Sequence, residues 1–273
     1  MRIVLAAALG FTLLQTDSLV AGQRTPRASA SVLSEHHLEA LKSMTPQQQA
    51  ELLLERAING YRGANEEIAA RAPGWLGKIK TSDRLESLFR MAINSDDMRV
   101  RVAALEMNVS ARGLARSAET IDRLESSARS GAQGPRANAL WDIALLGNRG
   151  IEPARAFDII RSSIGDENVN IRYWAVESLA FLGTDEVIEP LLDVFRDDPS
   201  PMIRERAACS LAQSGMLNEQ QRWRAVPRLL EYAGDQSMDP ETRTWVFQAL
   251  RDITGQTLPP DASAWRIWYS RRR

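Results

Sequence analysis

The chain has 273 residues, 44% hydrophobic and 25% charged, which supplies a continuous core and argues against wholesale disorder. With 34 Lys and Arg against 35 Asp and Glu, the net charge of −1 lacks the basic excess that general nucleic-acid binding needs. A single cysteine, Cys209, excludes an intramolecular disulfide, and its setting in Ala207-Ala208-Cys209-Ser210-Leu211 points to a buried structural thiol.

At the N-terminus, Arg2 precedes an apolar run from Ile3 to Leu14, of signal-peptide length and short for a membrane span. Small residues follow at Ala21-Gly22. A signal peptide over residues 1–22 is therefore expected, with the mature protein exported to the periplasm or the exterior and no stable membrane insertion after cleavage. Residues 23–44 read as a small, polar linker ending in a short helix that Ser34 caps and that runs to Lys42. Thr45-Pro46-Gln47-Gln48 then forms a capping box with proline in the first turn. Leu85, Leu88, Phe89, Ala92 and Ile93 mark one face of a further helix, so residues 45–94 are expected to be a helical cap or degenerate repeat.

Beyond residue 95 the chain repeats. Arg101, Arg136, Arg172, Arg204 and Arg243 are separated by 35, 36, 32 and 39 residues, and an apolar pair stands three and four positions after each. Glycine follows at Gly147, Gly183 and Gly215, and one place later in the outer copies at Gly113 and Gly255. These glycines are expected to end the first helix of each unit in the left-handed conformation. Pro153, Pro190 and Pro227, each 37 residues apart, open a second amphipathic helix, where a missing N–H costs nothing. Asp96, Asp166, Asp198 and Asp239 lie just upstream of the anchors, placed to cap the following helix or to accept from an anchor arginine of the neighbouring unit. No such helix pair could bury its apolar stripes alone, but a stack can. The fold class is all-α, an α-α superhelix.

The segment Asp166-Glu-Asn-Val-Asn-Ile-Arg172-Tyr-Trp-Ala175-Val-Glu-Ser-Leu179-Ala-Phe-Leu-Gly183 resembles the bacterial HEAT-like repeat, in the short form also found in phycobilisome lyase-like proteins. The resemblance spans residues 95–257 in five copies. It implies a right-handed superhelical array presenting an extended surface to protein partners. HEAT-like hydroxylases hold iron with repeated His-Glu pairs, whereas this chain has only His36 and His37, adjacent residues that face different directions on a helix. The HEAT-like bilin lyases act in the cytoplasm and the HEAT-like DNA glycosylases use a basic groove, and neither suits a neutral, exported chain.

Residues 258–273 look similar to the tryptophan-bearing tails of some exported HEAT arrays. Asp261 can cap a short helix that places Trp265 and Trp268 on one face, over the open end of the core. No phosphate-binding loop, dinucleotide fingerprint, nucleophile elbow or CxxC is present, and nothing selects two carboxylates as an acid–base pair. The expected chain is a non-enzymatic scaffold or adaptor for a protein partner, with no cofactor, no metal and no nucleic acid. Two alternatives are an accessory subunit of an envelope enzyme and a lyase-like enzyme with a carboxylate site in its groove.

For the partner the candidate residues are Tyr173, Trp174, Arg206 and Trp245, at the first and second positions after successive anchors. Aromatics and arginine dominate binding hot spots, although these rings could equally pack between adjacent first helices. A second candidate strip, read as the concave surface of the second helices, carries Glu186, Glu189, Asp193 and Arg196.

Overall fold

A computed structural model describes residues 31–272. The expected signal peptide and most of the linker lie outside these residues. Among the described residues there is no strand, only an isolated parallel bridge between Val32 and Arg62, and no helix is long and apolar enough to cross a membrane.

The N-terminal part comprises α1 (Glu35–Lys42), α2 (Pro46–Ile58), α3 (Ala64–Trp75) and α4 (Asp83–Ile93). Ser34 and Thr45 both form the capping boxes their sequences suggest. In the first of these His37 is the reciprocal partner, its Nδ1 lying 3.1 Å from the Ser34 N–H. Helix α3 was not anticipated, because Pro73-Gly74 near its end obscures the pattern.

Then follow α5 (Met98–Ala111), α6 (Ala118–Ala128), α7 (Gln133–Asn148), α8 (Pro153–Arg161), α9 (Val169–Leu182), α10 (Ile188–Asp197), α11 (Pro201–Cys209), α12 (Glu219–Trp223), α13 (Val226–Ala233), α14 (Pro240–Thr254) and α15 (Ala262–Ser270). The first helices α5, α7, α9, α11 and α14 carry the anchors, and α6, α8, α10 and α13 are their second helices. One core runs from Met98 to Trp265, and another joins α1–α4 to α5. Helix α5 belongs to both, sending Val102, Leu105 and Val109 one way and Val100, Ala104 and Met107 the other.

The anchors build a ladder. Arg172 donates through Nη1 to the Asp166 carbonyl of its own unit (2.9 Å) and reaches forward to both Asp198 carboxylate oxygens (2.8 and 3.2 Å). Arg204 repeats this on the Asp198 carbonyl (2.7 Å) and the Asp239 carboxylate (3.2 Å), and Arg136 pairs with Asp166. The acids thus serve mainly as acceptors between units. Only Asp239 caps a helix as expected, while Asp97 rather than Asp96 caps α5 and Asn168 rather than Asp166 caps α9.

The glycines divide. Gly113, Gly183 and Gly255 are left-handed at the ends of α5, α9 and α14. Gly147 is not a stop, since α7 continues through Asn148; a Cβ there would lie 2.6 Å from Leu182 Cδ1 and 2.7 Å from Ala156 Cβ. Its role is close helix packing. Gly215 is extended at φ −73° and follows a π-helical turn over Ser210–Ser214, so α11 ends by widening instead of by a left-handed cap.

Candidate functional site

Helices α5, α7 and α9 are buried nearly all round, whereas α6, α8, α10 and α13 bury one face only. The first helices therefore form a covered inner layer. Arg101 on α5 and Glu177 on α9 stand 3.7 Å apart with α7 between them in the stack. Packed helix axes are roughly 8–10 Å apart, so side chains two units apart meet only on the inside of a bend. The concave face accordingly belongs to the first helices. Glu186, Glu189, Asp193 and Arg196 are exposed, but on the outer layer, which corrects the concave assignment of that strip.

A row of buried acids lies in this inner layer: Glu106, Asp142 and Glu177, five or six positions after their anchors and at most 2% exposed. Each is held by arginine. Glu106 accepts from Arg116 (2.9 Å) and Arg149 (2.5 Å), Asp142 takes both oxygens to Arg112 Nη2 (2.7 and 2.6 Å), and Glu177 pairs with Arg206 of α11 as well as with Arg101. Buried carboxylates of this kind hold their charge only while paired. Burial still pushes the Asp142 carboxyl above its ordinary range, with Arg112 opposing the shift. The sequence signal was an acid inside each apolar helix, as in Leu105-Glu106-Met107, Trp141-Asp142-Ile143 and Val176-Glu177-Ser178. Acids are ordinarily on the solvent face, so the pattern alone does not mark these three as buried.

The candidate row meets this network. Trp174 is half-buried, edge-on to Trp141 of α7 at 4.7 Å between ring centres, and Tyr173 stands edge-on to Trp174 at 5.1 Å. Arg206 reaches Glu177, whose charge, against the cost of burial, holds its guanidinium above the ordinary value. Burial raises the Tyr173 phenol and the half-buried Cys209 thiol, keeping both protonated. Arg206 and Tyr173 therefore share the surroundings of Glu177, and Trp174 joins them through the Tyr173 ring. Trp245 is half-buried against the core at the equivalent position of α14 and shares no ring contact with them among the described residues. Arg101 and Trp141, which complete the cluster, were not singled out by sequence.

Among the described residues no cluster of three or more His, Cys, Asp or Glu is placed to hold a metal ion. At the other end of the array, Trp265 is wholly buried and donates its Nε1–H to the Pro259 carbonyl at 2.9 Å. Trp268 lies between Trp265 and Trp223, with the Arg272 guanidinium 4.6 Å above the Trp223 ring.

Residues 121–212, about a third of the chain, match the family model described as HEAT repeats. The chain is an all-α helical repeat solenoid, HEAT-like over residues 121–212. No curated protein matches it. Among solved structures it is similar to an engineered protein at 15% identity and TM-score 0.38, with 77% of this chain and 96% of that one covered. It is also similar to a designed armadillo repeat protein in complex with the peptide (KR)4, at 16% identity and TM-score 0.38, covering 78% and 100%. A second designed armadillo repeat protein aligns at 16% identity and TM-score 0.37, covering 77% and 100%. Likenesses at this level carry no argument about what the HEAT-like array binds.

Proposed function

We propose that this HEAT-like array is an exported, non-catalytic scaffold that seats a protein partner on the inside of its bend. The observation that supports this is the chemistry of the inner layer. Tyr173 and Trp174 on α9, Arg206 on α11 and Trp245 on α14 are half-buried, at repeat-equivalent positions of successive first helices. Aromatic rings and guanidinium groups held rigid by surrounding packing give large contact area at small entropic cost, the pattern of binding hot spots. The three buried acids are neutralised by arginine, so the inner layer reads as a preorganised surface. Whether the partner is a free protein or an envelope enzyme for which this chain is an accessory subunit changes only what sits on the surface.

Capture from the native envelope fraction tests the reading. Trp174→Ala and Trp245→Ala should weaken the partner by about 2 kcal/mol or more, whereas Glu189→Ala and Asp193→Ala on the outer layer should leave it in place. Retention by both folded tryptophan variants would place the binding face elsewhere. Export is tested by the mass of the mature chain. Cleavage near Ala21–Gly22 is expected, and an intact Met1 on cytoplasmic protein would overturn it.

A further inference from the structure

Arg101 is the anomaly of the anchor ladder. Arg136, Arg172 and Arg204 each close on an aspartate of the next unit. The unit after Arg101 has no such acid, since the corresponding loop reads Ser130-Gly131-Ala132. Arg101 keeps the ladder's first bond, Nη1 to the Ser95 carbonyl at 2.5 Å, but its other contacts are only the Met98 sulfur of its own helix at 3.5 Å and Glu177 at 3.7 Å. Its Nε–H has no acceptor, although the residue is 7% exposed. A buried guanidinium left so short of acceptors is costly.

A second donor on the same inner layer shares the defect. The Nε1–H of Trp141 is buried without an acceptor, on a ring 8% exposed that touches Trp174. The charge balance runs the same way. Arg101 and Arg206 both face Glu177, which is committed to Arg206, so the cluster carries one positive charge more than its acid can neutralise. Asp96 acts on Arg101 only through space, Glu205 beside Arg206 is exposed and acts on Cys209 through space, and Asp252, which lies near Cys209, is bonded to the amides of Gln213 and Gln248. Tyr173, Trp174 and Arg206 are the parts of the cluster that solvent reaches.

We propose that the Arg101–Trp141 donors are a recognition site for a carboxylate, supplied by an acidic side chain of the partner's segment as it crosses the Tyr173–Trp174 rim. This rests on the reading that the inside of the bend is the binding face. A carboxylate there takes the place of the aspartate that Arg101's neighbours have from the next repeat. It supplies acceptors to two buried donors and matches the surplus charge, while the two rings hold the adjoining apolar part of the segment.

The test uses the full chain and follows the indole N–H resonances of Trp141 and Trp174 by NMR, assigned through Trp141→Phe and Trp174→Phe. The probes are N-acetylglutamate methylamide, its glutamine counterpart, and N-acetylalanine with a free α-carboxylate. The glutamate probe is expected to shift both resonances saturably and to bind at least about tenfold more tightly than the glutamine probe. Arg101→Met should abolish the shift. Trp141→Phe, which keeps an aromatic ring at the position and removes the indole donor, should weaken binding severalfold as read at Trp174. No saturable shift, equal binding of glutamate and glutamine probes, or indifference to Trp141→Phe would overturn the proposal. Tighter binding of the alanine acid would overturn the side-chain source in favour of a chain terminus. If partner capture still depends on Trp174 while the glutamate probe fails, the acid site falls and the binding face stands. If capture is indifferent to Trp174 and Trp245, the face falls and the acid site falls with it.

Discussion

Arg101 on α5 and Glu177 on α9 lie 3.7 Å apart across an intervening helix, and Glu177 is the acid on which a second arginine, Arg206 of α11, also converges. One carboxylate therefore ties together helices from three different units. Removing its charge leaves two buried or half-buried guanidinium groups facing each other. Glu177→Gln is expected to cost about 3 kcal/mol in unfolding free energy. It should also enlarge the radius of gyration in solution scattering as the two arginines separate. Asp193→Asn, exposed on the outer layer, should stay within about 0.5 kcal/mol of the parent. An unchanged urea midpoint for Glu177→Gln would show that the bend is held by packing alone.

The C-terminal helix closes the core through one ring more than the other. Trp265 is 0% exposed and hydrogen-bonded to Pro259, whereas Trp268 is half-buried between two other tryptophans. Trp265→Ala should lower stability by about 3–5 kcal/mol and Trp268→Ala by clearly less. Deleting residues 261–273 should cost at least as much as Trp265→Ala. Equal urea midpoints for parent and truncated chain would mean the tail covers nothing that matters.

Two glycines of α7 should respond differently to a methyl group. Gly134 has nothing within 4 Å of an added Cβ beyond its chain neighbours, and the helix propensity gained by Gly134→Ala is offset by the Pro135 ring, which disfavours a helical residue with a Cβ before it, so the variant should stay within about 0.5 kcal/mol of the parent. At Gly147 the same methyl would lie 2.6 Å from Leu182 Cδ1, between α7, α8 and α9. Overpacking there outweighs propensity, and Gly147→Ala should lose about 1–2 kcal/mol. Thermal unfolding of the two variants checks the contrast, and a stabilised Gly147→Ala would refute the close approach.

The Asp239 carboxylate is held below its ordinary range by the Thr242 N–H and then the Thr242 hydroxyl, with Arg204 adding attraction. A carboxyl whose pKa is lowered by folding contributes stability above its unfolded pKa and loses it as pH falls through the folded value. Asp239→Ala should cost about 1 kcal/mol at neutral pH, the worth of a helix cap. That difference from the parent should narrow below about pH 4 as the parent's own carboxylate is protonated. Asp142, raised by burial, contributes in the opposite sense, favouring the fold as pH falls toward its unfolded range. Urea midpoints of Asp239→Ala and parent at pH 7 and pH 3 decide it; a gap that stays constant would mean that the charge of Asp239 plays no part.

Much of this is legible in the sequence. The anchor arginines, the apolar pairs behind them and the second-helix prolines are local signals that recur at a fixed period, and each maps onto a helix of the array. The interlocking of Arg172 with Asp198 could also be read, because in a stack the loop of one unit abuts the helix of the next. The glycines were half legible. Gly183 and Gly147 occupy the same place in the repeat, but one meets a left-handed turn and the other a neighbouring side chain. No local pattern distinguishes those two needs.

The sequence by itself determined the class of fold and the two-helix make-up of each unit. Only the tertiary structure decided which layer faces the inside of the bend, and therefore that Glu106, Asp142 and Glu177 are buried ion-pair partners. It alone showed that Arg101 and Trp141 carry donors with no acceptor. The reason is physical. Helix and turn signals act within about one repeat, where periodicity and capping are visible along the chain. Curvature arises from the sum of small rotations between units and is fixed by contacts between residues some 76 positions apart, such as Arg101 and Glu177.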